Sequence, residues 1–127
     1  MDECIPYLSC ESARHAIPWY CTVFDALCVE FIADGPVMVA HAELIRGDAR
    51  FFVSSVYPAE QLHDARQFSA VATAVVLMCA DIHAPLDRAL ANGATLLRPV
   101  VARQNAKIRD PFGHVWILRQ ATLSGPS

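Results

Sequence analysis

The 127-residue chain predicts an α+β fold: two βαβββ modules set edge to edge, forming one curved mixed sheet, a cup, with the helices on its outer face. Three observations carry this. The order strand, helix, strand, strand, strand occurs twice, each helical segment shows a single apolar stripe, and Gly47-Asp48 separates two strand-like runs as a tight hairpin does. The modules span 4–56 and 72–120, a connection spans 57–71, a tail spans 121–127, and the whole reads as one domain.

In the first module Ile5 to Ser9 is a short strand. Ser12 is a natural N-cap, and Ala13, Ala16, Ile17, Tyr20 and Phe24 then recur at helical spacing. Pro18 falls inside this helix and predicts a kink near Arg14, because proline deletes a backbone hydrogen bond and crowds the preceding turn. Leu27–Ile32 and Val37–Arg46 are strands separated by Asp34-Gly35-Pro36. Gly47-Asp48, glycine first, suits a type II′ turn from Val37–Arg46 into Arg50–Val56. Counting outward sets Glu43 opposite Phe52 and His41 opposite Ser54 on one face, with Leu44 opposite Phe51 and Ala42 opposite Val53 on the other. The second set is apolar and, with Met38 and Ala40, is expected beneath the helix; His41 and Glu43 then line the cup.

Tyr57 to Ser69 is polar, contains Pro58 and reads as a crossing connection with a helical turn. The second module repeats the first: a strand at Ala72–Met78, a helical stripe of Leu86, Ala89 and Leu90 stopped by Asn92-Gly93, and strands at Thr95–Val101, Gln104–Arg109 and His114–Gln120. Cys10 to Ala26 is 16 residues and Cys79 to Ala94 is 15, so the duplication holds in length. Asp110-Pro111-Phe112-Gly113 is a turn sequence, with proline second and glycine fourth.

Composition narrows the function classes. A net charge of -3 lacks the basic footprint of a nucleic-acid binder. With 54% hydrophobic and 18% charged residues the chain folds around a real core, burying roughly two-thirds of its unfolded surface. Five cysteines without CxxC spacing argue for reduced thiols rather than disulfides or structural zinc. The apolar run Ala70 to Ala80, interrupted by Thr73, is too short for a bilayer, so no membrane partner and a cytosolic location are expected. The apolar fraction favours a surface kept dry by a second copy.

The segments Ile108-Arg109-Asp110-Pro111-Phe112-Gly113-His114-Val115-Trp116-Ile117-Leu118, His41-Ala42-Glu43-Leu44 with Gly47-Asp48, Pro6-Tyr7-Leu8, and Trp19-Tyr20 with Val23-Phe24 resemble the vicinal-oxygen-chelate superfamily of glyoxalase I, bleomycin-resistance proteins and extradiol dioxygenases. The short glyoxalase-like branch is the nearest in pattern. The resemblance implies a homodimer and a ligand site in the cup. It also implies metal-ligand positions on the first and last strands of each module. These fall on Ile5, on Ala74 or Val75, on Ile117, and on the strand that holds Phe52 and Ser54. Isoleucine, alanine and valine cannot bind a divalent cation, so no metal cofactor is expected.

On strand parity Ile5, Tyr7 and Ser9, then Val115, Ile117 and Arg119, share the cup with Phe52. The expected reading is a metal-free small-molecule binder with Tyr7, His41, Glu43, Phe52, Ser54 and Arg119 as ligand contacts. Glu43 supplies charge for a cationic ligand, and Arg119 pairs with an anion or with Glu43. A second reading makes the chain a lyase, isomerase or dioxygenase that uses His41 and Glu43 as metal ligands or as a general base. A third is a structural dimer with a collapsed cup. Trp19 and Trp116 are assigned beneath helices, and His114 to a structural place beside its turn. His15, His63 and His83 are assigned to exposed positions. Lys107, Arg103 and Arg109 read as solvated charges, and Cys10 and Cys79 as buried thiols.

Overall fold

The structure is a computed structural model that describes residues 2–100 and 105–121. The first module comprises β1 (Tyr7–Ser9), α1 (Ala13–Phe24), β2 (Leu27–Asp34), β3 (Met38–Arg46) and β4 (Ala49–Ser54). Two single 3-10 turns, Pro58–Glu60 and Ala65–Gln67, punctuate the connection. The second module comprises β5 (Ala74–Cys79), α2 (His83–Ala91), β6 (Thr95–Arg98), β7 (Asn105–Arg109) and β8 (Val115–Gln120). The sheets have equivalent orders, β1-β4-β3-β2 and β5-β8-β7-β6, each with a parallel pair at the inner edge and two antiparallel pairs beyond it. The duplication is therefore topological as well as local. Gln104 and the expected end of the sixth strand at Val101 lie outside the described residues, as does Arg103.

The β3–β4 hairpin forms in the expected register, with Glu43 opposite Phe52, Leu44 opposite Phe51 and Ala42 opposite Val53. Gly47 has φ +58 and Asp48 stays out of the positive region, the pattern of a type II′ turn. Beyond Ala42 the register changes. Ile32 pairs with His41 but Ala33 pairs with Val39, so Ala40 is an extra residue, a β-bulge. Two expectations fail on this bulge. Val39, fully buried, takes the place beneath the helix assigned to Met38 and Ala40, and the Ser55 N–H donates to the Val39 carbonyl, so the expected His41–Ser54 pair does not form.

In α1 Ala13, Ala16, Ile17, Tyr20, Val23 and Phe24 are buried, as the stripe requires, and Pro18 lies within the helix on its exposed side. Ser12 occupies the N-cap position, yet its carbonyl rather than its hydroxyl serves the first turn, accepting from the His15 and Ala16 N–H groups. Asp25, at φ 55, closes the helix in the left-handed region. In α2 the buried positions are Pro85, Leu86 and Ala89; Leu90, expected in the stripe, is exposed because the nine-residue helix covers its sheet with a narrower face.

One apolar cluster runs through both modules. Its centre is aromatic: Trp116 of β8 lies 4.6 Å from Phe24 and 5.4 Å from Phe51 between ring centroids, and Tyr20 lies 5.4 Å from Phe51. Each such ring stabilises by about 2–3 kcal/mol through burial. The same centre holds a polar group. Asp110 is buried, and its Oδ1 accepts from the backbone N–H of Phe112 (2.9 Å) and His114 (3.0 Å). Its Oδ2 accepts from Trp116 Nε1 (2.8 Å) and from the Tyr20 hydroxyl. The carboxylate thus orders its own turn and ties β8 to α1 across the module boundary. Asp110→Ala is expected to cost at least about 3 kcal/mol, because four donors lose their acceptor in a dry core. Urea unfolding measures this, and a loss below about 1 kcal/mol contradicts the assigned role.

Candidate functional site

Along each strand the alternate residues that are not beneath a helix face the cup. On β8 Trp116 and Leu118 are buried while Val115, Ile117 and Arg119 lie on the other side, as parity predicts. On the first sheet Tyr7 and Phe52 are register partners with rings edge-on at 6.5 Å, and the His41 ring meets Phe52 at 4.6 Å. Tyr7, Phe52 and His41 therefore gather on one face.

The polar candidates there are already engaged. His41 Nε2 lies 3.1 Å from Glu30 Oε1, and Glu43 Oε2 accepts from Arg50 Nη1 at 3.1 Å, while Arg50 Nε reaches Glu3 at 2.9 Å. Arg50, not Arg119, is the partner of Glu43. Ser54 is fully buried and its hydroxyl donates to the Ser55 carbonyl, so it turns away from the open face. Arg119 is exposed at the far end of β8.

A cavity of about 430 Å³ opens where the end of β1 and the starts of β5 and β8 meet beneath the connection. Tyr7, Ser9, His63, Phe68, His114 and Val115 are among its walls, and Gln61, Val71, Thr73 and Val75 also line it. Of the sequence-assigned ligand residues only Tyr7 borders this cavity; His41, Glu43, Phe52, Ser54 and Arg119 do not. Its roof comes from the connection, which sequence reasoning treated as a crossing segment. The available signal was Phe68 and Val71, apolar residues at the end of a polar stretch.

The roof is held by hydrogen bonds rather than by apolar packing. The Ser9 hydroxyl donates to the His63 carbonyl (2.7 Å), and His114 Nε2 lies 2.8 Å from the Ser9 carbonyl. A carbonyl can only accept, so His114 carries a proton on Nε2. Arg109 overturns its reading as a solvated charge. Its guanidinium donates to the carbonyls of Gly113 (3.0 Å), Ala65 (2.9 Å), Phe68 (2.6 Å) and Ser69 (3.0 Å), because β7 points it beneath a loop with unpaired acceptors. Gly113, at φ +96, lets the turn approach: a Cβ there would lie 2.6 Å from the Ala65 carbonyl carbon and the Arg66 nitrogen.

The thiols are poor nucleophiles. Burial, reinforced by the Asp110 charge, pushes Cys10 far above its ordinary value, and burial raises Cys79 as well. The residues at the metal positions that the resemblance implies do not fit a divalent cation. Ile5, Ala74, Val75 and Ile117 offer no donor, and no group of three His, Cys, Asp or Glu able to hold an ion occurs among the described residues.

Within the connection Asp64 caps the turn Ala65–Gln67. Its carboxylate receives Arg66 Nε and Nη2 at 3.1 and 2.9 Å as well as the Arg66 N–H at 3.0 Å, and these bonds hold its pKa below the ordinary carboxylate value. The folded chain therefore takes up this proton at lower pH than the unfolded chain. The stabilisation is fully present above about pH 4 and is lost as pH falls through the lowered folded value. The stability gap between the wild type and Asp64→Asn is expected to close over that acid range, read by urea midpoints at successive pH values. A gap that widens towards acid contradicts this.

No protein-family model matches the chain, and no curated protein does. Solved structures do. TioX from Micromonospora sp. ML1 superposes with a TM-score of 0.72 at 18% identity, covering 98% of this chain and 100% of its own. A gene product from Arabidopsis thaliana gives 0.73 at 22%, covering 94% and 98%. The fosfomycin resistance protein FosX from Mesorhizobium loti gives 0.72 at 14%, covering 97% and 94%. With its two four-stranded βαβββ modules, the chain has the fold of the vicinal-oxygen-chelate superfamily.

Proposed function

We propose that the protein binds a small organic molecule, without a metal, in the cavity at the seam between its modules. The observation that supports this reading is the cavity itself. About 430 Å³ is the size of a small-molecule site, and its mixture suits one: aromatic Tyr7 and Phe68, aliphatic Val71 and Val115, and the polar side chains of Gln61, His63 and His114. Binding or sequestration needs only such a pocket. The catalytic reading based on His41 and Glu43 has less support, since both are engaged by other side chains, Glu30 and Arg50, away from the cavity. A screen of aromatic and aliphatic fragments by thermal shift is expected to give ligands that raise the melting temperature by mass action. Thr73→Trp, which fills the cavity from an exposed loop, is expected to abolish those shifts while the unliganded protein melts as before. Shifts that persist in Thr73→Trp place the ligand elsewhere and refute the reading.

The active form in this proposal is a homodimer in the cytosol. No helix among the described residues is long and apolar enough to cross a membrane. The support for a second copy is β2, which pairs only with β3 and exposes Leu27 (66%), Val29 (53%), Phe31 (45%) and Ile32 (50%). An apolar open edge of this length invites pairing. Sedimentation velocity is expected to give twice the 13.9 kDa chain mass, and Ile32→Lys to return it to the single mass. A wild-type monomer at micromolar concentration excludes the dimer.

A further inference from the structure

The cavity described above carries no Asp, Glu, Lys or Arg in its lining, but a smaller hollow beside it does. This hollow, about 210 Å³, shares Val71 and Val115 with the cavity and is floored by Lys107 and Arg109. We infer that the ligand is an amphipathic anion: its apolar body fills the main cavity and a compact anionic head, a carboxylate or phosphonate, docks in the side hollow against Lys107. The inference rests on the proposed binding role and adds the class of ligand to it.

Charge along the chain is strongly polarised. Up to Asp87 there are 12 acidic residues and 4 basic ones; beyond it there are 6 basic residues and a single acidic one, Asp110. Asp110 is buried on the helix side and engaged by four donors. Register then places the cations together. Arg98 pairs with Lys107, Lys107 with Ile117, Arg109 with Val115 and Asn105 with Arg119, so all four basic side chains share the face of Val115. The cup-side residues of β5, namely Ala74, Val76 and Met78, add no acid.

Among the described residues no carboxylate pairs with a cation of this patch. Among the described residues Lys107 forms no ion pair, Arg109 is bonded to carbonyls only, and Arg98 is bonded to the neutral Asn105 amide. Residues 101–104 contain no acidic side chain either. Carbonyl dipoles orient the Arg109 guanidinium but leave its full positive charge. The acidic half of the cup is the reverse case: Glu43 and Glu3 bond Arg50, Glu30 bonds His41, and Asp34 accepts from the Tyr57 hydroxyl. A cationic ligand meets carboxylates that are already satisfied, whereas an anion meets charge that is not. The low-dielectric walls formed by Val71, Leu97 and Val115 strengthen that attraction.

The test uses the matched pair 2-naphthoate and 2-naphthamide, with phenylphosphonate as a second head group, titrated calorimetrically into the full-length protein. The acid is expected to bind about tenfold more tightly than the amide, the size of one charge-assisted hydrogen bond. Lys107→Met, which keeps the aliphatic stem, is expected to erase that ratio while leaving amide affinity unchanged. Added salt is expected to weaken the acid alone. Phenylphosphonate binding above naphthoate assigns the head group to phosphonate, and the reverse assigns it to carboxylate. Equal affinity for acid and amide, or a ratio that survives in Lys107→Met, overturns the anion inference but leaves the cavity as a binding site. If neither naphthyl compound is displaced by Thr73→Trp, the binding role fails as well.

Discussion

The Asp110 carboxylate, buried with a donor at each of four directions, is the interaction on which the rest of the molecule depends. A desolvated charge is tolerated only when its hydrogen bonds replace the water it has lost. Here two backbone N–H groups, an indole and a phenol do so. The consequence is geometric. The turn Asp110–Gly113 is fixed relative to α1 through Tyr20, so His114 emerges where its ring meets the Ser9 carbonyl of the other module. Gly113 then comes close enough to the connection for Arg109 to gather its carbonyls. The cavity is in this sense a by-product of how one acid is satisfied: turn, seam and roof are positioned by the same oxygen atoms.

The two modules share topology but divide the physical work. The first module supplies the large helix, with Trp19 edge-on to Phe112 and with Tyr20 and Phe24 tilted against Trp116 of the second. The second supplies the shorter helix and the turn. Among the described residues neither sheet has a ladder to the other, so the halves are joined by side chains rather than by strand pairing. Such a seam leaves strand ends and a polar connection facing each other without complementary faces, and a hollow persists there. Within each sheet, by contrast, complementary register closes the space.

How much of this was legible in the sequence depended on whether the determinant was local. The II′ turn at Gly47-Asp48 set the β3–β4 register because the turn type and the alternation of Ala42, Leu44, Phe51 and Val53 agree. The parity of Val115 and Ile117 followed from the same period. Ala40 shows the limit. Nothing in its side chain signals a bulge, which arises from matching β3 simultaneously to β2 and β4, a constraint that spans three strands. Arg109 shows another. An arginine in a strand next to a turn looks solvated until a loop more than forty residues earlier in the chain brings its carbonyls over it. The cavity walls His63 and Phe68 were hidden for the same reason, since they reach the site through tertiary docking rather than strand parity.

The aliphatic residues between the modules shape the remaining electrostatics. Ile5, Ala74 and Ile117 offer neither a metal donor nor negative charge to the floor between the modules. A divalent ion held there would compete with Lys107 and Arg109 for any anionic ligand and repel their side chains. Without donors for one, the basic side chains of β7 face an apolar floor, and their field is opposed only by the ordered carbonyls of the connection. Carboxylates on β2 and β3 do not compensate it, because Arg50 and His41 hold them on the far sheet. The aliphatic side chains there supply no donor for chelation, whereas Lys107 and Arg109 set fixed positive charge beside them.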